Sequence, residues 1–225
     1  MIVNLQFFGG RGASSGGESL PNSAKGISAA NIVSETDVWS YRHNPNNEPF
    51  VDAMNESART MADDFPELMN SVNRVNAATL KGADKKGTLG YYGDGSVSLN
   101  ANYTNISKMN NVYDKAVASG YHPSRGNKTG TEAVMYHEMG HALTDAVKAK
   151  VGAKNLDQAA KTIVNNAYKN SGGKGGTLKW AGEVSGYAKE SFAECIAEAV
   201  SDWYCNGNKA SGTSKAIMKE LKKYK

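Results

Sequence analysis

The amino-acid sequence predicts a mostly helical α+β domain with a small antiparallel sheet, and three observations support this prediction. Long segments repeat apolar residues at spacings of three and four, as amphipathic helices do. Three short β-like segments stand together in the middle of the chain. Apolar residues make up 40% of the 225 residues, which is enough to form a buried core.

Several segments carry helical patterns with recognisable ends. Pro66 interrupts the first pattern, so that helix should end near residue 64. Thr129 and Glu132 form a capping-box pattern at the start of the second helix, and Asn206-Gly207 is a stop signal. Helices are predicted for residues 48–64, 130–150, 156–168, 189–204 and 214–224.

The predicted strands lie between the first two helices. Residues 71–76, 88–92 and 96–100 are short and β-like. Gly93-Asp94-Gly95 is a good tight turn between the last two segments. We therefore expect a small antiparallel sheet in this part of the chain.

The N-terminal segment differs in composition from the rest of the chain. Residues 9–17 are dominated by glycine and serine, which cannot pack a core. We expect residues 1–29 to form a flexible arm and residues 30–225 to form the folded domain. The chain has neither the features of a signal peptide nor an apolar run long enough to span a membrane. The expected location is cytoplasmic, or a particle assembled in a cytoplasm.

Charge and cysteine content argue against two classes of protein. The formal net charge is +4, whereas nucleic-acid-binding domains usually concentrate more basic charge than this. Cys195 and Cys205 are the only cysteines, too few for the disulfide framework of a small secreted domain. We therefore expect neither nucleic-acid binding nor a disulfide scaffold.

The clearest chemical signature lies inside the second predicted helix. It reads His137-Glu138-Met139-Gly140-His141, an H-E-x-x-H motif. Residues four apart lie on one helix face, so the two imidazoles can converge on one zinc ion. Glu138 can then take a proton from a water that zinc activates and pass it to the leaving amine. The motif predicts a zinc-dependent peptidase with Glu138 as the general base.

A third zinc ligand must come from elsewhere, since catalytic zinc usually keeps three protein ligands and one open position. One peptidase subclass continues the motif with a glycine and a third histidine. Thr144 and Val147 occupy those positions here, which excludes that subclass. His43 and His122 lie in turn-like segments that contain proline, and we expect both to be exposed loop residues rather than ligands.

A carboxylate on a later predicted helix is the better candidate for the third ligand. Glu190, Glu194 and Glu198 follow one another at intervals of four residues. The neighbours of Glu194 are too apolar for an exposed acidic stripe, and a buried carboxylate needs a partner, which a metal supplies. Ser191 and Glu194 also fit a capping box, so a capping role for Glu194 is the alternative.

Two segments together resemble a known family. Residues 137–145, HEMGHALTD, and residues 185–200, SGYAKESFAECIAEAV, are similar to the gluzincin metallopeptidases. The closest similarity is to the catalytic domain of anthrax lethal factor and to small zincin domains of phage minor head proteins. The resemblance covers residues 88–205. It implies a zincin-like fold and a zinc-dependent endopeptidase encoded by a phage or another mobile element.

The resemblance also implies roles for individual residues. The family carries a Y-x(6)-E-x-x-A-E-A pattern, which this chain matches from Tyr187 onward without a gap. By this resemblance Glu194 is the third zinc ligand beside the two motif histidines, and Glu198 orients one of those histidines. Tyr187 donates a hydrogen bond to the oxyanion. Asp145 fits the family pattern as a residue that hydrogen-bonds to a metal ligand. The alternative, that Asp145 is an ordinary polar residue of the helix, is equally favoured.

Two further segments resemble features of these proteins. Residues 121–123 are similar to the G-[FY]-H-P segment that precedes the motif in the phage proteins. In zincins an edge strand above the metal helix pairs with an extended substrate. Residues 95–102 are the candidate for that strand, and an ordinary strand within the sheet is the equal alternative.

The expected partner is a protein or peptide substrate, and phage head proteins are candidate partners, with a virion-associated location. Two other functions fit the same sequence. The first is a non-catalytic virion or assembly protein that keeps a zincin fold only for binding. The second is an intracellular effector or toxin protease that cuts one host protein.

Overall fold

The computed structural model describes residues 48–78, 80 and 87–225. These residues confirm the predicted α+β, mostly helical class. The expected arm of residues 1–29, and His43, lie outside the described residues. The helices are α1 Glu48–Asp64, α2 Ile106–Ala118, α3 Gly130–Val147, α4 Leu156–Asn170, α5 Thr177–Ala181, α6 Phe192–Asn206 and α7 Gly212–Leu221. The strands are β1 Arg74–Ala78, β2 Gly90–Gly93 and β3 Ser96–Asn100.

The three strands form a mixed sheet in the order β1-β3-β2. The predicted hairpin is confirmed, because β2 and β3 pair antiparallel across a turn in which Asp94 and Gly95 have φ angles of 50° and 74°. The prediction of a wholly antiparallel sheet is wrong. β1 pairs parallel with β3, with Val75 opposite Val97. Periodicity within a strand shows which residues face the core but carries no information on strand direction, so this pairing could not be predicted.

The position of β3 decides between the two alternatives for residues 95–102 in favour of an ordinary strand within the sheet. β3 lies between β1 and β2, so its backbone is already paired on both sides. Among the described residues β2 is the edge strand on the side of α3. An extended chain that pairs with this sheet beside α3 would therefore pair with β2.

Helix α1 ends at Asp64, as the proline at position 66 predicts. Pro66 opens a 3₁₀ turn, Pro66–Asn70, where its fixed φ and missing N–H are tolerated. The apolar face of α1, with spacings of mostly three and four residues, is buried in the core. Its members are Phe50, Val51, Met54, Ala58 and Met61.

Helix α2 was not predicted, although its sequence carries helical signals. The side chain of Asn105 accepts a hydrogen bond from the Lys108 backbone N–H at 3.0 Å and caps the helix. Met109, Tyr113 and Ala116 are buried at positions i, i+4 and i+7. This sparse apolar face among polar neighbours was the signal that sequence reasoning missed.

Helix α3 is the central helix of the domain. Its capping box is confirmed in both directions, because Thr129 Oγ1 accepts from the Glu132 N–H at 3.1 Å and Glu132 accepts from the Thr129 N–H at 2.7 Å. The helix contacts α1, α2, α4, α6 and both β2 and β3, so residues on every side of it are buried. It ends at Val147, and turns follow to Gly152, whose φ is 74°.

Helix α6 begins later than predicted. Ser191 is its N-cap, and residues 187–189, where the predicted helix was to start, form a separate 3₁₀ turn instead. Helix α7 packs on α4 and α6 and ends in a further 3₁₀ turn at Lys222–Tyr224. In the part of the chain that the structure describes, no helix combines the length and the apolar content that crossing a membrane requires.

Helices α3 and α6 pack unusually closely at Gly140. A Cβ atom built on Gly140 would lie 2.9 Å from the Ala197 Cα, closer than real Cβ contacts come, and 3.2 Å from the Val200 Cβ. The Ser201 hydroxyl of α6 also donates a hydrogen bond of 2.9 Å to the Ala133 carbonyl of α3. Gly140 and Ala197 therefore set the distance between the two helices.

We predict that Gly140→Ala lowers the free energy of unfolding by about 1–3 kcal/mol, the usual cost of overpacking a core. The added methyl group meets the Ala197 Cα, a backbone atom that cannot move aside cheaply. Gly212→Ala is the matched control, because a Cβ at Gly212 meets nothing within 4 Å. Urea unfolding of both variants measures the difference, and equal stabilities would contradict the inferred role of Gly140.

Candidate metal centre

Three side chains from α3 and α6 form a group that could hold a metal ion. His137 and His141 lie one turn apart on α3, and Glu194 lies in the first turn of α6. The Glu194 Oε2 atom is 3.2 Å from the His137 Nε2 and 3.4 Å from the His141 Nε2. The possible ligand atoms all lie within 4.8 Å of one another, and all three residues are buried.

The donor set fits a bound cation. Two imidazole nitrogens and one carboxylate oxygen are ligands typical of catalytic zinc sites. Glu194 Oε2 is buried, and within the described residues it makes no hydrogen bond of good geometry. Buried charges of this kind are usually paired or bound to metal. His137, His141 and Glu194 are thus the residues that would hold an ion.

The carboxylate of Glu198 accepts hydrogen bonds from three sides of the site. His137 Nδ1 lies 2.8 Å from Glu198 Oε1, and the Ser185 hydroxyl donates to Oε2 at 2.7 Å. His122 Nδ1 lies 3.1 Å from both oxygens. An ionised carboxylate can only accept, so His137 Nδ1 must carry a proton, which leaves its Nε2 for a metal.

The pKa values of the ligand group reflect this pairing. Burial alone would lower the pKa of His137, but its close pairing with the Glu194 and Glu198 carboxylates outweighs burial and raises the pKa to about 10. Burial acts to raise the pKa of Glu194, yet His141 and His137 hold it well below its usual range. In the metal-free chain His137 therefore holds a proton between two ionised carboxylates.

Glu138 has an environment different from that of the other two glutamates. It is only 2% exposed, and burial raises the pKa of its carboxyl to about 7, although His137 and His141 oppose the shift. It packs against β2, where a Cβ on Gly90 would lie 2.6 Å from Glu138 Oε1. A side chain at position 90 would displace the Glu138 or Val134 side chain. The sequence pattern of a short strand did not reveal this contact.

Tyr187 lies beside the ligand group in the 3₁₀ turn before α6. Its ring stacks on His137 with a centroid distance of 5.9 Å and contacts the Tyr121 ring at 4.9 Å. Burial raises the pKa of Tyr187 far above its ordinary value. Its phenol therefore keeps its proton at neutral pH and can serve as a hydrogen-bond donor.

Three other candidate residues, Glu190, Asp145 and His122, lie outside the ligand group. Glu190 is exposed and precedes α6, outside the ligand group. Asp145 accepts hydrogen bonds from the Tyr92 hydroxyl at 3.0 Å and from Lys148 Nζ at 2.7 Å, and its predicted role beside a ligand stays a prediction. The expectation that His122 is exposed is wrong, because it is 3% exposed.

Two residues of the network were not recognised from the sequence. Ser185 and His122 both reach Glu198, from segments that lie 13 and 76 residues away from it along the chain. The similarity of residues 121–123 to a segment of the phage proteins was the one available signal for His122. Ser185 had no comparable signal beyond its place at the start of the second matched segment.

A cleft of about 570 Å³ opens beside the ligand group. Glu138 and His141 line it, together with Tyr92 of β2 and the residues at the start of α6. Its apolar lining includes Leu178, which at 67% exposure is the exposed large hydrophobic residue of the described chain. The candidate metal centre is therefore accessible from a cleft large enough for several side chains of a peptide.

The chain was compared with protein families, with curated proteins and with solved structures. None of the three comparisons gives a match. The resemblance of residues 88–205 to the gluzincins therefore stays a prediction based on the two matched segments.

We predict that the three glutamates differ sharply in their contribution to zinc binding. Glu194→Ala removes a ligand and should abolish binding almost completely. Glu198→Ala should weaken it by roughly 10–100-fold, the usual cost of losing a residue that orients a ligand. Glu190→Ala is the exposed control and should change little. Zinc titrations test the series, and near-normal affinity in Glu194→Ala with loss in Glu190→Ala would overturn the ligand assignment.

Proton release on zinc uptake is a second expected outcome. Because the pKa of His137 is about 10 in the metal-free chain, the ring is protonated at pH 7 and must lose that proton to bind metal. The apparent affinity should fall as the pH falls, by about tenfold per pH unit for each proton released. Calorimetry in buffers of different ionisation enthalpy measures the release. Binding enthalpies that do not depend on the buffer would contradict it.

Proposed function

We propose that this protein is a zinc-dependent endopeptidase that hydrolyses a protein substrate. The observation that carries the proposal is Glu138. Its Oε1 atom is buried and finds no hydrogen-bond partner among the described residues, beside a group suited to hold a metal. Burying an unpaired carboxyl group costs stability, so its presence at this position favours a chemical role over a structural one.

The pKa of Glu138 supports its role as the general base. A base works best when its pKa lies near the operating pH, and burial brings that of Glu138 to about 7 in the metal-free chain. A bound zinc ion would supply Lewis acidity, making water a better nucleophile near neutral pH and polarising a carbonyl group. Glu138 would accept the proton of the attacking water and deliver it to the leaving amine.

Other residues of this chain fit supporting roles. Tyr187 keeps its proton and lies against His137, so its hydroxyl is suited to donate to a developing oxyanion. The edge strand β2 borders the cleft through Tyr92, which suits pairing with an extended peptide backbone. The cleft of about 570 Å³ that Glu138 lines has room for several side chains of a protein substrate.

A non-catalytic virion or assembly protein with the same fold is the main rival. It would need the metal only for stability or binding, and it would have no use for Glu138. A phage or mobile-element origin, phage head proteins as partners, and the alternative of an effector or toxin protease all rest on the sequence resemblance. Hydrolysis is therefore the property to test first.

We predict that Glu138→Gln retains about one zinc per chain but loses hydrolysis by roughly 10²–10⁴-fold, the usual contribution of general acid–base catalysis. Glutamine keeps the shape of the side chain and cannot accept the proton. Metal analysis and cleavage of a broad peptide library measure the two properties separately.

Glu190→Gln is the matched control, because Glu190 is an exposed carboxylate on the same cleft. It should keep both zinc and activity. If the wild-type protein holds zinc and cleaves nothing across the library, the binding protein becomes the better explanation.

A further inference from the structure

We propose that His122 is a positioning residue of the metal centre. It holds the Glu198 carboxylate in the orientation in which that carboxylate fixes the His137 ring. The inference goes beyond the proposed function, and it rests on the metal site of that function rather than on hydrolysis. His122 belongs neither to the H-E-x-x-H motif nor to the helix that carries the glutamates.

The contacts of Glu198 support this role directly. Oε1 accepts a hydrogen bond from His137 Nδ1 at 2.8 Å, and Oε2 accepts one from the Ser185 hydroxyl at 2.7 Å. His122 Nδ1 lies 3.1 Å from each of the two oxygens. These three donors come from α3, from the segment before α6 and from the segment after α2. Because His122 lies at equal distance from both oxygens, it restrains rotation of the carboxylate about its own axis.

The His122 ring is itself held in place. It stacks on Tyr113 with a centroid distance of 5.3 Å and an interplanar angle of 9°, and it meets Tyr187 edge-on at 5.6 Å. Two backbone hydrogen bonds join its segment to the one before α6, from Gly186 N to the Gly120 carbonyl at 2.8 Å and from Tyr187 N to the Tyr121 carbonyl at 3.0 Å. His122 is therefore a fixed donor rather than a mobile loop residue.

The consequence concerns which nitrogen of His137 is available to a metal. Glu198 accepts from His137 Nδ1 and so directs Nε2 toward His141 and Glu194. Without the His122 donor, Glu198 can turn within its pocket, and the His137 ring loses its fixed direction. Residues that orient a ligand in this way typically contribute 10–100-fold to metal affinity.

The test compares His122→Asn with His122→Leu, two variants of nearly the same shape. Asparagine keeps an N–H donor close to the position of Nδ1, whereas leucine has none. Zinc dissociation constants are measured by competition with a chromophoric chelator, and the visible spectrum of the cobalt-loaded protein reports ligand geometry. We expect His122→Leu to bind zinc about 10–100-fold more weakly and His122→Asn to recover most of that loss.

Thr213→Val is the packing control. It removes a buried hydroxyl that is hydrogen-bonded to the Trp180 carbonyl at 3.0 Å, in the first turn of α7 and outside the Glu198 network. It should bind zinc as the wild type does. Thermal melting of the metal-free proteins separates loss of fold from loss of metal.

Two results would overturn the proposal. One is wild-type zinc affinity in folded His122→Leu, and the other is equal impairment of the Asn and Leu variants. If His122→Leu does not fold, His122→Gln takes its place in the comparison. The glutamine amide lies one methylene beyond the position of Nδ1, so it cannot replace the Nδ1 donor as asparagine does. The proposal then requires tighter zinc binding by Asn than by Gln. Wild-type protein that binds zinc without cleaving peptides would refute the proposed function and leave this test valid.

Discussion

The close approach of α3 and α6 at Gly140 is the constraint on which the rest of the site depends. Gly140 lies between the two motif histidines on α3, and Ala197 lies between Glu194 and Glu198 on α6. A side chain at position 140 would meet the α6 backbone at 2.9 Å. Because neither helix carries bulk at the crossing, a carboxylate from α6 can come within 3.4 Å of both imidazoles. The geometry of the candidate metal centre is thus a consequence of helix packing.

Three buried glutamates of one small site have different surroundings, and this difference separates their roles. His137 and His141 keep the pKa of Glu194 low against the effect of burial, and His122 and His137 do the same for Glu198. Glu138 lies against β2, and burial dominates there and raises its pKa. Groups whose environments move their pKa values apart are suited to different tasks in one mechanism. Glu138 is accordingly the one suited to move a proton, and the other two are suited to bind and orient.

The network around Glu198 connects the metal centre to parts of the chain that carry no motif. His122 follows α2 and Ser185 precedes α6, and both reach the same carboxylate. The aromatic rings of Tyr113, Tyr121 and Tyr187 pack around His122 with centroid distances of 5.1–5.6 Å. We infer that the fold holds the ligands by packing a second layer of residues behind them. A metal-binding helix alone would leave the ring of His137 free to turn.

The sequence by itself determined the features that depend on residues a few positions apart. The class of fold, most helix positions, the capping box at Thr129 and the hairpin turn at Asp94 follow from local periodicity and backbone preference. The two motif histidines were likewise readable, because i, i+4 spacing fixes a helix face. That spacing left Glu190, Glu194 and Glu198 open, and only the family resemblance selected Glu194. Only the tertiary structure decided the parallel pairing of β1, the burial of His122 and the glycine contacts that set helix and strand distances. The contacts of Glu198 with His137 and His122 join residues 61 and 76 positions apart, and such distant partners leave no trace in local spacing.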